Sequence, residues 1–429
     1  MHLHELDRAQ LAAATAVCGD GYRTFHGACQ ACHNGHMRSA DVVVIGGGVN
    51  GASTAFNLAS LGVKRIILVE RRHLAAGASG KSGSLVRMHY TNDAEARLAF
   101  ESLKVFRDFS RIVGGDCGFQ PIGFVQVVAP GYEKALHANV AMQQRIGIET
   151  QPISKDDLRR LVPAMRVDDI GAACWEPGSG FADPNATTFG FAEAARRLGA
   201  TIETECEALR IVTEGGRVAG VETSRGGIAA PVVVAVPGAW AGTLLGPLGL
   251  DFGLEPYRIQ ISVFRWPAGF QGGHPVVIDA FHKAWMRPEG ASSTLIGVEL
   301  GAAHTDPEKF HEGVDEDYVA LCREKLATRF PVFQHSTMRG GWAGMIMMSP
   351  DGRPVIDQIP SVPGLWVMLG DSGTSFKTSP AIGRCLAEWI VKGKPETADL
   401  SRFRSTRFAE GTPWVDEHNY GRDRLTISR

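Results

Sequence analysis

The sequence predicts a mixed α/β fold: a parallel-sheet domain assembled from separated stretches of chain, with an antiparallel-sheet domain inserted between them. Three observations predict it. A continuously apolar run, Val42-Val-Val-Ile45, enters a glycine-rich turn, and a second apolar run follows at Ile66-Ile-Leu-Val69. β-Branched and alternating stretches recur at 118–129, 256–266 and 276–300. A second strand, glycine turn and helix pattern occupies 364–391.

The first run reads as a parallel strand buried on both faces, because it carries no polar alternation. It leads into Gly46-x-Gly48-x-x-Gly51. Gly46 permits the tight turn, Gly48 lets backbone approach a pyrophosphate, and Gly51 lets the next helix pack closely on the strand. Val49 and Asn50 lie at the mouth of that helix, expected from about 52 to 61, whose N-terminal N–H groups favour phosphate. Glu70 ends the second strand, where a carboxylate can accept both ribose hydroxyls and repel a 2′-phosphate. A Rossmann-type unit that disfavours NADP is therefore expected. Arg71 and Arg72 follow the acid and weaken that exclusion only slightly.

Bulk properties bound the remainder. A chain of 429 residues, 44% hydrophobic and 21% charged, can bury a large core and is expected to form two structural domains. A formal charge of −2 gives no electrostatic reason to expect nucleic acid or an acidic membrane as partner. No apolar run reaches the roughly 18 residues of a membrane span. The N-terminus lacks the basic-then-apolar order of a secretory signal. Eight cysteines spread over this length do not form a disulfide framework, so a reducing, cytoplasmic location is expected.

Residues 1–36 are expected to be an N-terminal extension without structural function. Cys29-Gln-Ala-Cys32-His33 matches the c-type haem attachment pattern, but the segment is too short to enclose a haem. Zinc binding by Cys29, Cys32, His33 and His36 fits no standard finger spacing, and no metal is expected.

The run from Gly77 to Tyr90 is too rich in Gly and Ser for regular structure, and Ser79, Gly80, Lys81 and Ser82 are expected to approach the cofactor. Helices are expected over 93–113, 187–198 and 315–329, and strands over 218–223 and 231–238, the latter ending at Gly238 with Trp240 just beyond. The cofactor domain is then 37–117, 181–250 and 340–395, the substrate domain 118–180 and 251–339, and 396–429 a C-terminal tail. The unit at 364–391 carries a glycine turn from Gly370 to Lys377 and a helix from about 381. A flavoenzyme has a use for such a helix: its N-terminus can face the flavin N1–C2=O edge and stabilise negative charge on the reduced ring.

These pieces resemble the D-amino-acid oxidase superfamily of FAD enzymes, in particular its sarcosine oxidase and dimethylglycine dehydrogenase branch. The resemblance covers roughly residues 40–395. It rests on the first glycine turn, Glu70, Gly77-Ala-Ser-Gly-Lys-Ser82, Trp342-Ala-Gly-x-x-x-x-Ser-Pro-Asp-Gly-Arg-Pro-Val-Ile-Asp357 and Gly370-Asp-Ser-Gly-Thr-Ser-Phe-Lys377. It implies FAD, held partly by Gly344, Gly370, Gly373, Thr374, Phe376 and Lys377. It also implies transfer of a hydride equivalent from the C–N unit of an amino acid to flavin N5, followed by imine hydrolysis. Arg87 and Lys377 match the positions that grip a substrate carboxylate, a task suited to a planar fork and a point charge.

His89 and Tyr90 follow Arg87, and His89 is a candidate for tuning amine protonation as well as for a structural role. Trp285 and Arg287 sit on a strand that flanks flavin in such enzymes. The family's covalent attachment positions align near Gly344 and Lys81, neither of which can form that bond, so non-covalent FAD is expected. The stretch Thr294–Leu300 lacks the oxygen-activating lysine of the monomeric oxidases, for which Lys283 is the candidate substitute. The acceptor is thus oxygen or an electron carrier. The leading reading is oxidation of a small secondary or N-methylated amino acid. The alternatives are D-amino-acid or hydroxy-acid oxidation, and a flavin subunit that works with a partner subunit.

Overall fold

The computed structural model describes residues 38–270, 273–416 and 418–421. The Cys29–His36 cluster and the expected extension lie outside the described residues.

A six-stranded sheet forms the cofactor domain, in the order 355–358, 365–369, 232–235, 42–45, 66–69, 201–203. All pairs are parallel except 355–358 with 365–369. Its central strands are Val42–Ile45, Val232–Ala235 and Leu365–Leu369, and their uninterrupted apolar sequences follow from burial on both faces. Helices Val49–Ser60, Asp93–Arg107, Pro184–Arg197 and Ser379–Lys392 contribute to the core on one face. A four-stranded sheet of 38–39, 226–229, 217–223 and 208–214 contributes to the core on the other.

The first helix begins at Val49, earlier than its glycines indicate. Gly48 caps it in extended conformation without a side chain, and no acidic residue occupies the first turn, so its N-terminus keeps its affinity for anions. Gly51 lies within the helix because a Cβ there would stand 2.0 Å from the Gly46 carbonyl oxygen. Gly383 makes a similar close approach, to Ser53, which lets the C-terminal helix lie directly on the first.

The second domain is a nine-stranded sheet backed by helix Glu316–Arg329. It is antiparallel apart from one parallel pair, Val276–Asp279 with Phe124–Val128. Two expectations are corrected. Met338–Met348 pairs along Glu255–Arg265 in this sheet, so a boundary at 340 falls inside a strand. Glycines at 340, 341 and 344 mask its strand character in the sequence. Residues 396–421 are not a tail: Phe403, Arg407, Trp414, Asp416 and Tyr420 are buried against the body. Asp357 accepts hydrogen bonds from the Ser405 N–H and hydroxyl, and Asp351 from Arg407 and the Trp414 N–H.

Candidate active site

A cleft runs from the first glycine turn to the second, lined by Gly46, Gly48, Glu70, Gly238, Trp240 and Gly370 among others. A second, smaller cavity lies between the two sheets. Both are lined by Asn50, Ala78, Ser79 and Asp371, so the two spaces adjoin there.

The cleft is cut to close tolerance. Gly46 has φ +110°, and a Cβ there would meet the Val236 carbonyl oxygen at 2.3 Å. The Ser79 hydroxyl accepts a hydrogen bond from the Val49 N–H at 3.0 Å. Glu70 accepts from the Gly47 N–H at 2.7 Å and the Arg72 N–H at 2.8 Å, which fixes its carboxylate at the cleft wall. Arg71 stacks on Trp240 with 4.9 Å to the ring centroid, and both bind Glu308. Lys81 pairs with Glu312 at 2.7 Å. The stretch carrying Glu308 and Glu312 therefore latches across the cleft mouth.

The inner cavity receives Arg87 and Lys377. Arg87 follows a short strand, Leu85–Val86, paired with Gly180–Phe181, and is 1% exposed. Its guanidinium lies 4.7 Å from the centre of the Tyr90 ring and 5.8 Å from that of Phe124. Lys377 donates to the Thr374 carbonyl at 2.9 Å, and its ammonium lies 5.3 Å from the Tyr90 ring centre. The Tyr90 hydroxyl donates to the same carbonyl at 3.0 Å. The opposite wall is apolar, formed by Ile261, Ile278 and the Trp285 indole. Gly83 and Gly297 exist to admit that indole: Cβ atoms on them would stand 2.1 and 2.4 Å from it.

The turn that presents Lys377 is tightly wound. Gly370, Ser372 and Gly373 have φ of +60°, +50° and +73°. The strain at Ser372 is held by hydrogen bonds from its N–H to Met347 and from its hydroxyl to the Gly370 carbonyl. Asp371 sits at the junction of cleft and cavity. Burial pushes its carboxyl up to about 6, against the pull of N–H groups of Met347 and Gly373 and the charge of Lys377.

Among the cofactor candidates, Val49, Asn50, Lys81, Ser82, Gly344, Gly373 and Phe376 line the inner cavity. Lys81 and Gly344 face each other, with a Cβ on Gly344 3.2 Å from that of Lys81. Gly51, Gly80 and Thr374 line neither space. Gly51 packs helix on turn, Gly80 packs against the Ala75 carbonyl and Asn185, and Thr374 offers its carbonyl to Lys377 and Tyr90.

His89 requires correction. It is fully buried, hydrogen-bonded to Tyr420 at 2.7 Å and Gln143 at 3.2 Å, and lies outside the cavity wall. Burial, then the charge of Arg87, pushes its pKa down to about 3, so it is neutral and holds no proton for a substrate amine. Arg287 grips the Gly83 carbonyl at 2.7 Å rather than facing the cavity, and Lys283 is exposed at the turn after Val276–Asp279. Asp371 stands inside the Gly370–Lys377 motif without a role that spacing assigns to it, and Tyr420 lies outside every motif.

The sequence model of the DAO family, FAD dependent oxidoreductases, matches residues 41–389. The chain belongs to this family. Among its relatives, sarcosine oxidase subunit beta of Rhodobacter capsulatus is 27% identical over 88% of this chain and 90% of its own. Mouse mitochondrial sarcosine dehydrogenase is also 27% identical, over 89% of this chain but 43% of its own. The crystal structure of L-proline dehydrogenase from P. horikoshii superposes with a TM-score of 0.81 at 25% identity, covering 88% of this chain and 99% of that one. As a DAO-family protein the chain is an FAD-dependent oxidoreductase, and the cradle of close glycines, the fixed Glu70 carboxylate and the helix N-terminus without acidic residues fit that cofactor. No helix among the described residues is long and apolar enough to cross a membrane.

Proposed function

We propose that the chain oxidises the C–N bond of a small secondary or N-methylated amino acid, sarcosine-like in size. One observation carries this reading: Arg87 and Lys377, two buried cations, line a cavity with an apolar wall that adjoins the cofactor cleft. A carboxylate is the substrate group such a pair selects, since a planar guanidinium fork and an ammonium point charge both suit it. Ile261, Ile278 and Trp285 would hold the alkyl part and exclude water.

FAD would be held without a covalent bond by the first glycine turn, Glu70, residues 79–82, Gly238, Trp240 and the turn 370–377. Bound there, it would supply the two-electron acceptor for a hydride equivalent from the C–N carbon. The resulting imine takes up water and separates into a carbonyl compound and an amine. No side chain is assigned as base, because an amine that binds neutral needs none and His89 lies behind the wall.

A second reading, electron transfer to a carrier with the help of a partner subunit, is favoured by the match over 90% of an oxidase beta subunit. The strand Ser293–Val298 also carries no lysine. Anaerobic addition of N-methylglycine, proline and D-alanine to the holoprotein tests both readings. Bleaching by N-methylglycine or proline supports the amine reading, and bleaching by D-alanine alone points to primary D-amino acids. Fast bleaching with slow reoxidation by air supports a carrier. A flavin band that none of them bleaches would sink the proposed substrate class.

A further inference from the structure

We propose that the C-terminal segment works as a clasp that positions Arg87, with Tyr420 as the positioning residue. This rests on the reading of Arg87 as carboxylate anchor.

The chain from Arg87 to Glu95 crosses the back of the inner cavity, and the C-terminal segment grips it at alternate residues. Tyr420 takes His89, and Asp416 takes Thr91 together with Arg353, which also pairs with Glu95. All of these side chains are buried.

The hydrogen bonds fix the direction of the grip. Gln143 donates its amide to the Tyr90 carbonyl at 3.0 Å and the same nitrogen lies 3.2 Å from His89 Nδ1, so Nδ1 accepts. A neutral imidazole has one N–H, which therefore resides on Nε2 and points to the Tyr420 oxygen at 2.7 Å. Asn139 donates to the same oxygen at 2.9 Å and to the His418 carbonyl at 2.8 Å. The two rings also stack, 5.8 Å between centroids and 15° between planes. His89 in turn lies against Phe124, the ring beneath the Arg87 guanidinium. Tyr420 thus sets the His89 ring, and His89 sets the floor on which Arg87 rests, two residues away along the same backbone.

None of Tyr420, His89, Asn139, Gln143 and Phe124 lines the cofactor cleft, so the clasp should act on carboxylate affinity more than on FAD retention. The test uses the holoenzyme in four forms: wild type, Tyr420→Phe, Arg87→Lys and the double variant. Acetate binding is read from its perturbation of the flavin spectrum, alongside KM and kcat for the amino acid that bleaches the flavin. Tyr420→Phe keeps the stacked ring and removes one buried acceptor, so an acetate Kd and a KM about 10-fold higher are expected, with kcat within about 3-fold and full FAD content. The double variant should bind no worse than Arg87→Lys alone, because both changes disable one element. Additive losses would overturn the clasp, as would unchanged acetate binding in Tyr420→Phe beside a loss in Arg87→Lys. Unchanged binding in Arg87→Lys would instead overturn the anchor reading. Should Tyr420→Phe fail to retain FAD, Asn139→Ala, which loosens the Tyr420 oxygen from outside, gives the same discrimination.

Discussion

Arg87 and Lys377 share one aromatic ring: the guanidinium lies 4.7 Å and the ammonium 5.3 Å from the centre of Tyr90. Two buried cations that meet through an electron-rich ring repel each other less than they would across an apolar gap, and the ring face stabilises both. The Tyr90 hydroxyl and the Lys377 ammonium also donate to the same Thr374 carbonyl, which ties the two halves of the site, residues 87–90 and 370–377, into one unit.

Replacing Lys377 by Met removes the charge but preserves length and apolar bulk. KM for amino-acid substrates should rise by the equivalent of about 2–5 kcal/mol while FAD stays bound. Steady-state kinetics with flavin absorbance on the same sample checks this, and unchanged kinetics would exclude Lys377 as an anchor.

Gly51→Ala should abolish FAD retention. The added methyl would press on the Gly46 carbonyl oxygen at 2.0 Å, forcing helix and turn apart at the phosphate site. The flavin-to-protein absorbance ratio after gel filtration is the measurement, and a wild-type ratio would disprove the close-approach argument.

Acid should destabilise the apoprotein from about pH 6.5 downward. Burial lowers His89 from 6.5 to about 3, so between these values the unfolded chain takes a proton that the folded one refuses, and stability falls with pH. His274, pushed down by burial to about 4, acts in the same direction. Asp371 acts oppositely. Its carboxyl rises from 3.8 to about 6, so its burial cost grows as pH increases through that interval. His89→Gln should reduce the slope of Tm against pH below 6.5, whereas Asp371→Asn should steepen it between 4 and 6. Slopes identical to wild type in both variants would contradict the assignment.

The Glu308 and Glu312 latch should make FAD retention sensitive to salt. Its ion pairs with Arg71 and Lys81 are solvent-facing, so each contributes little, and the Glu308→Gln, Glu312→Gln double variant should release FAD about 2- to 5-fold faster. Stopped-flow fluorescence at low and high ionic strength reads this. A release rate independent of both salt and substitution would show that the latch does not gate the cleft.

Much of the cofactor domain was legible because its signals are local. Gly46, Gly48, Gly51 and Glu70 lie in one short stretch whose periodicity changes from strand to helix on cue. The turn at 370–377 repeats the pattern, and its glycines stand where φ must be positive. The second domain was less legible, since glycine-rich Met338–Met348 looks like a loop until its partner strand is known. His89 misled for a different reason. Its place in the chain beside Arg87 suggested access to substrate, but which way a side chain points depends on what packs behind it. Here that is Tyr420, more than three hundred residues away in sequence. Residues 396–421 announce burial only weakly, because Leu400, Phe403 and Trp414 join the core without a periodic apolar face and the polar side chains are held by isolated partners such as Asp351, Asp357 and Arg353.

The strand order of the six-stranded sheet has a consequence for how this enzyme can be taken apart. Val232–Ala235 separates Val42–Ile45 from Leu365–Leu369, so the cradle for the nucleotide draws on strands from both ends and the middle of the chain. No contiguous fragment that lacks either 42–70 or 365–377 carries a complete cradle. Proteolytic dissection should therefore yield no flavin-binding core, and fusing the substrate sheet of a relative onto this chain would require grafting two separate insertions at once. Because every central strand must wait for a distant neighbour, refolding from denaturant should be slow and prone to aggregation.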